Sequence, residues 1–304
     1  MTFAETPWMK AAAFAGIAAL TLTACGDDGE DDAEEAEAES DVDFDITVDA
    51  EVTTLQEGTL QVCSDVPYPP FEYYDEDGEV VGFDIDIAQA IADAMDKDLE
   101  IIESAFEGIQ SGVSLNAEQC DLAISSISIT EERQGNMAFS DPYLDDNLGL
   151  LAAADSGIES LEDAEGAQVG VQQATTGADE AQEMGLDTVE FVDSGLLIQG
   201  LEAGQVEAAV GNISILGYQA GDSDEFEFVE EIETGEQLGI AAQLENEELI
   251  EAVNDVLAQL EENGYMDELE QRWFESDETP EEGEGEDAEE GDVEDEDADE
   301  DSDD

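Results

Sequence analysis

The sequence predicts an α/β protein built as two lobes, and three observations carry that prediction. Strand-like and helix-like patterns alternate through the middle of the 304-residue chain. The alternation comes in two runs joined by extended crossings. Acidic, small-residue-rich stretches flank it on both sides.

Leu60 to Ser64 is a short apolar strand, and Asp75-Glu-Asp-Gly78 is a turn between two further extended pieces. Ile87, Ile91 and Met95 recur every fourth residue, which puts them on one face of a helix from about Asp84 to Lys97. Leu99 to Glu103 reads as a strand, Glu107 to about Leu115 as a helix, and Leu122 to Ile127 as an apolar strand that runs into a serine-rich segment.

The second run has strands at Leu150 to Ala153, Gln168 to Gln172, Thr188 to Val192 and Val206 to Gly211. Helices fall near Gly177 to Glu183 and Ser194 to Ala203. Ile250, Val253, Leu257 and Leu260 line one face of a long helix from about Glu245 to Asn263, and a short helix ends at Trp273-Phe274.

Charge excludes whole classes of function. The chain carries 88 Asp and Glu against 4 Lys and Arg, with no His, a formal charge of −84. Phosphate binding needs clustered cations, so nucleic acid is excluded as a partner, and anionic lipid surfaces would repel the chain. Between residues 52 and 274 there are 53 acids against Lys97, Arg133 and Arg272, so the body itself is acidic. At roughly 1 M salt the Debye length is about 3 Å and such repulsion is largely screened, which predicts a protein working in brine. A disordered acidic chain would not be 41% hydrophobic with regular patterning.

Lys10 precedes an apolar run from Ala11 to Ala24, too short for the ~20 residues that span a bilayer and suited to a secretory leader. The run ends in Leu22-Thr-Ala-Cys25. Residues 1–24 are therefore expected to be a signal peptide, 25–56 an acidic tether, and 275–304 a solvated acidic tail. Cys63 and Cys120 remain; placed on parallel neighbouring strands at different heights, they are expected to lie beyond the ~4–7 Å Cα separation of a disulfide.

Among so few cations Arg133 stands out, set in Ser125-Ser-Ile-Ser-Ile-Thr-Glu-Glu-Arg133. A guanidinium grips a carboxylate bidentately, whereas an exposed pair with Glu131 or Glu132 would contribute only about 0–1 kcal/mol. Tyr68-Pro-Pro-Phe71, Asp77-Gly78, Val81-Gly-Phe-Asp84, the serine segment with Arg133, Phe139-Ser-Asp-Pro-Tyr143, Val169 to Thr176, Leu201-Glu-Ala-Gly204 and Leu238-Gly-Ile240 follow in order. This series resembles the polar amino-acid family of bacterial solute-binding proteins that feed ABC importers, over roughly residues 58 to 274. Leu22-Thr-Ala-Cys25 similarly resembles a lipobox, which implies lipidation of Cys25 and anchoring to the cell membrane.

The resemblance implies a type II periplasmic-binding-protein fold, with residues 57–146 and 239–274 as lobe one and 147–238 inserted as lobe two. It implies crossings near Leu144 to Leu148 and Gly235 to Leu238. It assigns Arg133 and Ser128 to the ligand carboxylate, Ser125 and Ser126 to positions facing the ligand, Tyr68 and Phe106 to aromatic walls, and Asp65 to the ligand side chain. Thr175 and Thr176 complete the carboxylate site at a helix N-terminus, although one of them can equally cap that helix. Gln172 falls at a selectivity position.

Two departures stand out. Ala174 replaces a glycine, and Asn212 replaces the acid that pairs with the ligand ammonium. No cofactor, metal or catalytic residue is implied. The expected partners are an amino acid, an ABC permease with its ATPase, and the membrane through the lipid, with the receptor itself a monomer. The alternatives are a receptor for an ectoine-like zwitterion, an enzyme of the cyclohexadienyl dehydratase type, and an acidic structural lipoprotein without a ligand.

Overall fold

The computed structural model describes residues 46–48, 52–221 and 225–274. Cys25, the leader, most of the tether and the acidic tail lie outside them. The chain begins with β1 (Thr59–Ser64), the short hairpin β2 (Tyr73–Tyr74) and β3 (Val80–Val81), and α1 (Phe83–Ala94). It continues through β4 (Asp98–Glu103), α2 (Phe106–Gln110), α3 (Val113–Asn116), β5 (Leu122–Ala123), α4 (Glu131–Gln134) and β6 (Met137–Phe139).

After the crossing strand β7 (Leu144–Asp145) come β8 (Leu148–Ala153), β9 (Gln168–Gln172), α5 (Thr176–Glu183), β10 (Asp187–Phe191), α6 (Ser194–Glu202), β11 (Ala208–Asn212), α7 (Ile213–Ala220) and β12 (Phe226–Ile232). A second crossing strand, β13 (Gln237–Leu238), leads back to β14 (Ala241–Gln243), α8 (Glu247–Asn263) and α9 (Tyr265–Phe274).

Two five-stranded sheets result, one per lobe, with orders β4-β1-β5-β14-β6 and β10-β9-β11-β8-β12. In the first, β1 is parallel to β4 and β5, and the returning β14 runs antiparallel between β5 and β6. In the second, β9 is parallel to β10 and β11, while β8 pairs antiparallel with β11 and β12. The crossings β7 and β13 pair with each other, Leu144 opposite Leu238. The fold is thus the two-lobe binding-protein fold with its second lobe inserted into the first.

Local sequence explains where the elements start and stop. On α1 the side chains of Phe83, Ile87 and Ile91 are fully buried, each contributing about 1.5–3 kcal/mol by transfer from water. Gly82 precedes them at φ 142°, where a Cβ would sit 2.1 Å from the Phe71 carbonyl oxygen, so only glycine fits that approach. One part of the lobe-two core gathers Leu148, Leu150, Val169, Val171, Ala178, Ala208 and Val210, while Leu151, Leu197, Leu201, Ile215 and Leu216 belong to a cluster continuous with the lobe-one core.

Three expectations need correction. The helix over Glu107 to Leu115 is two short helices, because Gly112 turns left-handed at φ 73° between them. The apolar strand to Ile127 is ladder-paired only over Leu122–Ala123, and Ser126 at φ 46° bends the chain out of the sheet. Most plainly, Cys63 and Cys120 form a disulfide with their Cα atoms 5.7 Å apart. Cys120 is not on β5 at all. The chain joins the sheet only at Asp121, whose N–H donates to the Gln61 carbonyl, so Cys120 arrives from the α2–α3 side, where Cys63 packs with Phe106, Ile109 and Leu115.

Candidate ligand-binding cleft

The carboxyl ends of β1, β5, β9 and β11 point toward one another between the lobes, as open α/β sheets place their ligand crevices. Tyr68, Phe106, Ser125, Ser126, Ser128 and Arg133 of lobe one and Gln172, Thr175, Thr176 and Asn212 of lobe two line a single cavity there. Asp65, the remaining residue singled out from the sequence, stands behind that wall and accepts from Gln172 Nε2 at 2.8 Å.

Arg133 is 4% exposed. Its one-turn helix α4 is capped by Thr130, whose hydroxyl oxygen accepts from the Arg133 N–H. The guanidinium donates through Nη1 to the Ser128 carbonyl at 2.9 Å and reaches the Ala174 carbonyl of lobe two at 3.4 Å. Burial lowers its pKa, opposed by the charges of Glu236 and Asp179. The ion pair found among the described residues is elsewhere, Arg272 with Asp86 at 3.1 Å. A buried guanidinium without a carboxylate partner is a strong anion site, since its desolvation is not repaid inside the chain.

The serines are wired from behind. The Ser125 hydroxyl donates to Glu72 and accepts from the Asp65 N–H, and the Ser126 N–H donates to Asp84 Oδ2 at 2.7 Å. Ser126 Oγ is buried and has no partner. Asp84 also accepts from Tyr143, and burial pushes it up to about 7; burial and the neighbouring Asp84 charge hold Glu72 well above the usual carboxylate range.

In lobe two the hydroxyl of Thr175 is used up locally. It accepts from the Ala178 N–H as the cap of α5 and donates to the Gln172 carbonyl. Thr176 and Ser128 are different: both hydroxyls donate to Glu236 Oε2, at 2.8 and 2.6 Å. Ala174 has φ 63°, so the turn keeps the left-handed shape that glycine favours. Gln172 Oε1 is buried without a partner. Asp65, which Gln172 holds together with a backbone N–H from Phe106, is pushed up to about 6 by burial despite those bonds.

Asn212 accepts from the Tyr68 hydroxyl at 3.2 Å and donates to the Asp146 carbonyl at 3.3 Å, stitching the lobes together beside the crossing. Asp146 is itself buried, held by Ser214 through one oxygen and unpartnered at the other, with a pKa pushed up to about 7 by burial. Sequence reasoning missed Glu72, Asp84, Asp146 and Glu236 as members of this network. Glu72 and Asp84 adjoin or close quoted motifs, but in a chain with 88 acids an acid carries no signal of its own.

Comparison with known proteins agrees with the geometry. The family model described as bacterial extracellular solute-binding proteins, family 3, matches residues 60–276. An arginine-binding periplasmic protein of Mannheimia haemolytica is 31% identical over 216 residues, 68% of this chain and 87% of that protein. The L-cystine-binding protein of Escherichia coli (strain K12) is 28% identical over 229 residues, 74% of this chain and 85% of that one. Among solved structures, an ancestral arginine-binding protein bound to arginine superposes with a TM-score of 0.66 at 35% identity, covering 71% of this chain and 98% of that one.

Proposed function

The chain belongs to family 3 of the bacterial extracellular solute-binding proteins, and from that premise we propose that it is the lipid-anchored receptor of an ABC importer for a polar or cationic amino acid. The family is extracytoplasmic and works with ABC permeases. One observation carries the reading: Arg133, buried and without a carboxylate partner, faces a cavity to which both lobes contribute.

The ligand carboxylate docks on Arg133 in lobe one, and contacts with lobe two select the closed form that the permease recognises. Tyr68 and Phe106 flank the aliphatic part. Asp65 and the unpaired Gln172 Oε1 accept from a polar or cationic end, which fits arginine-like donors. The arginine-binding relatives support the same class. The chain binds and releases, and performs no chemistry.

Cys25 carries the lipid, and the acidic body works in high salt as a monomer. The Cys63–Cys120 disulfide fits an oxidising, extracytoplasmic compartment. The neutral Asn212 beside Tyr68 favours a second reading, a receptor for an ectoine-like zwitterion without a free ammonium.

The test is a thermal-shift and calorimetric screen of L-arginine, L-lysine, L-histidine, L-glutamine, L-cystine and ectoine at low and high salt. Ligand at a hundred times its Kd stabilises by about 2.7 kcal/mol, a shift of roughly 5–10 °C for a body of this size. Response to ectoine alone selects the second reading; response to none sinks both. Tm should also climb with salt as surface repulsion is screened.

A further inference from the structure

Ser128 and Thr176 face each other across the cleft with their hydroxyl oxygens 3.5 Å apart, and both donate to the same oxygen of Glu236. A hydroxyl has one proton and two lone pairs. With both protons committed to Glu236, the two oxygens offer the cavity only acceptors. That polarity repels a carboxylate and welcomes an ammonium, so the hydroxyl of Ser128 has the opposite sense to the carboxylate role the family resemblance implies for it.

The other acids around the cleft have partners of their own. Asp65 is held by Gln172, Glu72 by Ser125, Asp84 by the Ser126 N–H and Tyr143, and Asp146 by Ser214 through Oδ1, its Oδ2 being buried without a partner beneath Asn212. Asn212, on the wall itself, is neutral. Glu236 lies one hydrogen bond behind the wall, half-buried, and its own carbonyl accepts from the Asp146 N–H in the crossing, which fixes its backbone.

We propose that Glu236 is a positioning residue for the ligand's cationic nitrogen: by taking the protons of Ser128 and Thr176 it turns them into an ammonium cradle and supplies the negative charge that Asn212 lacks. Arg133 then holds the anionic end and the Ser128–Thr176–Glu236 group the cationic end. The assignment rests on the amino-acid receptor reading above and deepens it, because it requires a ligand with a free ammonium.

The experiment compares L-arginine with its deaminated analogue, 5-guanidinopentanoate, by calorimetry on the wild-type chain, Glu236→Gln, and Glu236→Gln combined with Asn212→Asp. Glu236→Gln is expected to weaken L-arginine by about tenfold, the difference between a charged and a neutral acceptor, while the analogue changes by no more than about twofold. Adding Asn212→Asp is expected to restore the preference for L-arginine. Equal losses for both probes would make Glu236 a simple latch between lobes, and tighter binding of both would make it a competitor for Arg133; either overturns the assignment. A wild-type chain that binds no amino acid fails before any substitution is compared, and overturns the receptor reading itself.

Discussion

The guanidinium carbon of Arg133 lies 5.3 Å from the centre of the Phe106 ring, so the one buried cation of the cleft rests on one of its aromatic walls. The ring orients the fork while its Nη1 bond to Ser128 fixes the rotation. Arg133→Ala should therefore cost on the order of 2–5 kcal/mol of ligand binding, measured calorimetrically. Arg133→Lys keeps the charge but loses the planar fork and should recover only part. Undiminished affinity in Arg133→Ala would remove Arg133 from the site.

Ala174 has the left-handed backbone at φ 63°, a conformation that costs an L-residue roughly 1–2 kcal/mol. Ala174→Gly relieves that strain against a greater loss of chain entropy, and a net gain of roughly 0.5–1 kcal/mol is expected. Thermal denaturation reads this as a Tm higher by a few degrees. A lower Tm would show that the turn is not strained.

The disulfide closes a loop with a sequence separation of 57 in lobe one. Replacing Cys63 and Cys120 together by alanine should cost about 2–5 kcal/mol, or roughly 5–15 °C in Tm. Mass spectrometry of the intact chain without reductant checks the bond directly, and two free thiols there would refute it.

Burial raises Asp84 and Asp146 to about 7 and Asp65 to about 6, from an ordinary value of 3.8. Between the ordinary and raised values the folded chain holds protons that the unfolded chain has released, so stability falls as pH rises through that window and levels off above it. Acidifying from pH 8 to 5 at constant high salt should thus raise Tm. Asp146→Asn keeps an acceptor for Ser214 and should flatten the slope; identical slopes in variant and wild type would exclude Asp146 as a contributor.

Much of this architecture is legible in the sequence where burial repeats with a period. Ile87 and Ile91 announce α1, and Leu257 and Leu260 announce α8, because a helix against a core must show an apolar face. The candidate cleft residues are proposed for another reason: they fall in short motifs whose order resembles the solute-binding family, and ten of them line one cavity. What stayed hidden depends on tertiary neighbours. β12 pairs on one side only, with β8, and the register shift between Phe228 and Glu230 breaks the alternation that Phe226-Glu-Phe228 begins, so the period is too short to mark a strand. The Cys63–Cys120 contact follows from how the chain enters β5, and Glu236 is one acid among many until Ser128 and Thr176 are seen to point at it.

The placement of β14 has a consequence for how the chain matures. Lobe two is complete once residues 148–232 have emerged, whereas the sheet of lobe one lacks the strand between β5 and β6 until residues 241–243 follow. As the chain emerges from its N-terminus, the inserted lobe can reach its native pairing first, while the lobe bearing Arg133 waits for the far end of the chain. The receptor thus acquires its anion-binding half last, so a chain arrested before β14 would carry a finished lobe two and no working cleft.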